Sequence, residues 1–84
     1  MKRVNRVETM NRIAFLAKQK HIEVSDIRDA CNVAETKTVH SWFRAVNFPS
    51  VEKLVTLTGM LGATLDDVVV IEYESEDDKP DTNG

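Results

Sequence analysis

Apolar residues recur at helical spacing along most of the chain, broken at intervals by polar or turn-forming residues. Val7, Met10, Ile13, Ala14 and Ala17 share one helical stripe, with Leu16 widening it, so the spacing predicts a first helix over about residues 7 to 20. Val24, Ile27, Ala30 and Cys31 repeat in the same way and predict a second. Asn32 stops it, because asparagine tolerates a positive φ better than other non-glycine residues. A third helix is expected from Thr36, as its N-cap, to Ala45, with Val39, Trp42 and Phe43 on its inner side. Asn47-Phe48-Pro49 reads as a loop, since a proline disfavours a helical residue before it. Ser50 then caps a fourth helix whose stripe is Val51, Leu54, Val55, Leu57 and Leu61, ending at Gly62. Thr64-Leu65-Asp66-Asp67 has the form of a capping box and opens a short fifth helix. Val69 to Tyr73 is β-branched and reads as extended. Ile13, Leu16, Ile27, Val39, Trp42, Leu54, Leu57 and Leu61 are the expected core.

At 84 residues the chain suffices for one small domain. A domain of this size buries only about 60% of its unfolded surface, so it is marginal unless it pairs. Cys31 is the single cysteine, which excludes an internal disulfide and fits a reducing compartment. No apolar run approaches the ~18 residues of a membrane span, and the polar N-terminus does not read as a signal peptide. A cytoplasmic protein without membrane contact is expected.

Charge changes the picture more than composition does. The formal net charge is -3, yet residues 1 to 20 carry six basic groups against Glu8 alone, whereas residues 72 to 84 carry six acids against Lys79. The tail SEDDKPDTNG lacks large apolar residues and is expected to be disordered. The basic segment KRVNR, with Arg12, Lys18 and Lys20, reads either as an arm tracking phosphates or as the charged flank of a leading helix.

These residues carry a resemblance. Ile13 and Leu16, then Ile27 and Val33, then Val39, Trp42 and Arg44, and above all PSVEKLVTLTGMLGATLDDVV over residues 49 to 69, resemble the Xre family of Cro/repressor-like helix-turn-helix DNA-binding domains. The likeness covers about residues 11 to 70 and matches a variant with a longer turn before the recognition helix. It implies an all-α, five-helix domain over residues 1–71, its helix-turn-helix at about 24–45, to which composition adds an acidic disordered tail over 72–84. It further implies a sequence-specific transcriptional regulator of bacterial, phage or plasmid origin that binds double-stranded DNA, commonly as a homodimer. The chain departs from the pattern at Val24, where the family usually carries a phosphate-contacting glutamine, and at Arg28, where it usually carries a small residue.

In that setting Lys37, Thr38, His40, Ser41, Arg44 and Asn47 are the candidate DNA-contacting residues. Lys37 and Arg44 supply charge, while Thr38 and Ser41 can reach base edges or phosphates from the outer face of the third helix. The plainer reading of the same residues is a solvated helix face. Glu23 and Asp26 crowd the start of the second helix and would repel a phosphate there. His21, His40 and Cys31 lack metal-ligand spacing, and no nucleophilic triad or phosphate loop is present, so neither an enzyme nor a cofactor is expected. Phe15 lies off the apolar stripe. With the Val68–Tyr73 run it suggests a homodimer or a protein partner, and an interaction module that keeps the fold without reading DNA is the competing reading.

Overall fold

The computed structural model describes residues 2–73. In chain order the elements are β1 (Lys2–Val4), α1 (Arg6–Gln19), α2 (Val24–Cys31), α3 (Thr36–Phe43), α4 (Val51–Met60), α5 (Leu65–Val68) and β2 (Ile71–Tyr73). The chain is mostly helical, as the periodicity requires, but it is not all-α. β1 and β2 pair antiparallel, with Lys2 opposite Tyr73, Arg3 opposite Glu72 and Val4 opposite Ile71. Glu72 and Tyr73 therefore belong to a strand and not to the tail that the sequence boundary assigned them. The rest of the expected tail lies outside the described residues.

Helix starts follow side-chain chemistry. Asn5 Oδ1 accepts from the Glu8 N–H at 3.0 Å, and Ser50 Oγ accepts from the Lys53 N–H at 3.3 Å. At α5 the Thr64 N–H donates to Asp67 Oδ2 at 2.9 Å, the capping box expected there. At α3 the cap is Glu35, one residue before the expected Thr36, and its side chain makes no capping bond.

The helix ends share one device. His21, Asn32, Ala45 and Gly62 all adopt left-handed backbone after α1 to α4, and only one of them is glycine. In each case the next N–H reaches back five residues: Ile22 to Ala17, Val33 to Arg28, Val46 to Ser41, and Ala63 to Thr58, all at 2.9–3.1 Å. This closes otherwise unpaired carbonyls and turns the chain sharply. Of the apolar residues that follow the four turns, Ile22, Val33 and Ala63 are half-buried and only Val46 is exposed.

The core is Met10, Ile13, Ala17, Ile27, Cys31, Val39, Trp42, Leu54, Leu57, Leu61 and Val68. Seven of the eight expected core residues are among them; Leu16 is half-buried instead and packs on the rim. Val7, Val51 and Val55 lie on the predicted stripes yet face solvent. Thr9 is fully buried beside Met10, and its Oγ1 accepts the Val70 N–H at 3.0 Å, which fastens the start of β2 to α1.

Candidate nucleic-acid interface

α3 has two sides because its apolar residues fall at three- and four-residue intervals. Val39 and Trp42 enter the core, which turns Lys37, His40 and Arg44 outward. Lys37, Thr38, Ser41, Arg44 and Asn47 line one shallow concavity of about 420 Å³ together with Val46. Five of the six sequence-derived candidates are thus brought together. His40 is exposed on the same helix but is not part of this lining.

Ser41 departs from expectation. It is 9% exposed, and its hydroxyl donates to the Thr38 carbonyl at 2.6 Å while accepting from Asn47 Nδ2 at 3.4 Å. A hydroxyl so engaged serves as a positioning group for Asn47 more than as a free donor. The backbone adds to this, since the Val46 and Asn47 N–H groups both donate to the Ser41 carbonyl, at 2.9 and 3.3 Å. Left-handed Ala45 makes that turn possible and leaves Val46 exposed inside the concavity. Val46 was missed by sequence reasoning, which took Asn47-Phe48-Pro49 as the loop. The signal was an apolar residue after a helix end, the same position filled by Ile22 and Val33 at the two preceding turns.

Lys37 is 83% exposed, with Nζ 3.4 Å from Glu35 Oε1. Such an exposed pair is worth little and is screened by salt, so it leaves the ammonium available to another anion.

The N-terminal basic segment is not a loose arm. Arg3 Nε donates to Glu72 Oε2 at 2.7 Å across the strands, the Arg6 guanidinium lies over the Phe48 ring at 5.5 Å from its centroid, and Arg12 Nη1 donates to the Asp67 carbonyl at 3.2 Å. Arg3 and Arg6 share a second depression, about 640 Å³, with Asn5 and Ala45. Ala45 therefore joins the basic strand to the end of α3. Lys20 lies elsewhere, its ammonium close to Gly62 at the end of α4.

At the start of α2 the Glu23 N–H donates to Asp26 Oδ2 at 2.9 Å. The helix thus supplies its own carboxylate where a phosphate would otherwise sit. Cys31 is buried, with Sγ 3.7 Å from the Lys53 carbonyl. Burial pushes its thiol pKa up, with Lys53 pulling weakly the other way, so it stays protonated at neutral pH. Among the described residues no three His, Cys, Asp or Glu side chains converge as a metal site, and no helix is long and apolar enough to cross a membrane.

Comparison with protein-family models, with curated proteins and with solved structures finds no match to this chain.

Proposed function

We propose that the chain is an Xre-like helix-turn-helix regulator that reads double-stranded DNA through α3, with α2 and the turn at Asn32 as the supporting half of the motif. One observation carries the reading: Lys37, Thr38, Arg44 and Asn47 share a concavity with exposed Val46 on the side of α3 opposite Val39 and Trp42. A cation, amide and hydroxyl donors and one apolar contact are the chemistry that base edges and the thymine methyl group select. Lys37 and Asn47 would face bases, Arg44 a phosphate, and the Arg3–Arg6 depression would follow the backbone beyond Ala45. Sequestered Asp26 makes α2 a poor phosphate clamp, which shifts affinity onto α3 and the strand.

The test is selection from random duplexes, followed by binding to the selected site and to a scrambled one. Arg44→Ala should weaken both alike and flatten the salt dependence by about one unit of slope. Lys37→Ala should cost about 1–3 kcal/mol on the selected site and little on the other. Failure to enrich any motif would remove the reading. The interaction-module reading would then lead, favoured by Phe15, which is 62% exposed on α1. A pull-down with Phe15→Ala as the control tests that alternative.

A further inference from the structure

The β1–β2 ribbon is inside out for a monomer. Period-two alternation puts Arg3 and Glu72 on one face and Lys2, Val4, Ile71 and Tyr73 on the other. The charged face shares its depression with Ala45 and Arg6, on the body of the protein. The apolar face opens a separate depression of about 370 Å³, with Ile71 47% and Tyr73 71% exposed. A lone two-stranded ribbon is marginal in water and gains stability from further strands or a covered face.

The hydrogen-bond parity says which edge is open. The Asn5 N–H donates to the Val70 carbonyl at 2.7 Å, so Asn5 and Val70 form a bonded pair, and so, two residues on, do Arg3 and Glu72. The backbone groups of Ile71 and Tyr73 then point away from β1. Among the described residues they have no backbone partner outside the ribbon. The outer edge of β1 is blunted by Lys2, as edge strands commonly are, whereas that of β2 presents Ile71 and Tyr73 with no lysine.

We infer that a second copy of this chain docks on this edge, β2 against β2 in antiparallel register, with Ile71 of each copy opposite Tyr73 of the other. A twofold contact needs a self-complementary surface, and this register bonds the outward groups of Ile71 and Tyr73 to each other in both copies. Each Ile71 side chain meets the other copy's Tyr73, an aromatic–β-branched pair of the kind that stabilises sheets. The two Glu72 residues face each other at the dyad, and the repulsion between them is offset because each carboxylate already holds its own Arg3 guanidinium at 2.7 Å; the row of Arg3, Glu72, Glu72 and Arg3 across four strands sums to neutrality. The contact is independent of whether α3 reads DNA.

Sedimentation of the full chain without DNA, at roughly 100 μM, well above a micromolar dissociation constant, should report twice the 9.5 kDa chain mass. Ile71→Lys should raise the dimer dissociation constant at least about thirtyfold, the scale of losing a central anchor, with the helical circular dichroism unchanged. A wild-type monomer, or a folded Ile71→Lys dimer as tight as wild type, overturns the proposal. A cross-link covers the case in which Ile71→Lys fails to fold. In a Cys31→Ser background, Glu72→Cys should oxidise to a covalent dimer, because facing residues in a non-bonded pair approach to about 4.5 Å between Cα atoms. Tyr73→Cys, offset from its own copy, should not. Absence of the first link, or appearance of the second in its place, overturns the register.

Discussion

Gly59 and Ala45 are each in the other's proper place. Gly59 lies inside α4, and a Cβ added there would meet nothing within 4 Å. It therefore weakens the helix with no close contact to compensate. Gly59→Ala should stabilise by about 1 kcal/mol, raising Tm by roughly 4–8 °C in a domain of this size. Ala45 carries the opposite burden, a φ of 59° that costs an L-residue about 1–2 kcal/mol. Ala45→Gly should recover about 1 kcal/mol, a little less than the strain because glycine also frees the unfolded chain. Urea melts of both variants check the pair, and a destabilised Ala45→Gly would mean that the methyl group is packed. The cost of a glycine inside the fourth helix was legible in the sequence, but not whether a close contact offsets it, and the strain at Ala45 was not legible at all. Asparagine announces a left-handed turn at position 32, whereas alanine and histidine do so at 45 and 21 only through the hydrogen bonds that follow them.

Between elements, the joint that matters is α1 with β2. Thr9 Oγ1 accepts from the Val70 N–H, the Asn5 N–H donates to the Val70 carbonyl, and Asn5 Nδ2 donates to Glu72 Oε1 at 3.2 Å. Thr9→Val preserves shape and removes one acceptor, leaving the half-buried Val70 N–H unpaired at about 1–3 kcal/mol. Amide exchange should accelerate at Val70 before it does in the helices; equal protection in both proteins would show that the bond contributes nothing. The helices were readable because their buried residues keep a 3.6 period: Ile13, Ile27, Val39, Trp42, Leu54, Leu57 and Leu61 all lie in the core. The stripes overreached at Val7, Val51 and Val55, since apolar spacing does not say whether a neighbouring element covers that stretch of helix. β1 was not readable. Three residues, two charged and then one valine, carry no alternation, and the strand exists because β2 supplies its partner from the far end of the chain. In the candidate interface Lys37 and Arg44 could be placed by helical phase alone, whereas the burial of Ser41 depends on Asn47 folding back over it.

For the molecule as a whole, charge is sorted by position more than by amount. The net charge of -3 conceals a basic β1 and α1 start set beside the end of α3, and an acidic α2 start that binds its own backbone. The closing contact between Arg3 and Glu72 spans 69 positions of sequence, whereas α2 meets α3 and α4, and α4 meets α5, across much shorter separations, and only α1 with α5 comes close to that span. Distance along the chain becomes order in time. Helices that meet early restrict the chain, and only then does pairing two three-residue strands repay the entropy of bringing them together. The ribbon should form after the transition state, as the last step of folding and the first to open. Glu72→Ala should accordingly leave the refolding rate nearly unchanged and speed unfolding, measured by stopped flow at low protein concentration. A matching loss in the refolding rate would place the ribbon in the nucleus instead. By this ordering the partly assembled chain exposes Ile71 and Tyr73 as a free segment, so the ribbon is also where two folding chains would first become entangled.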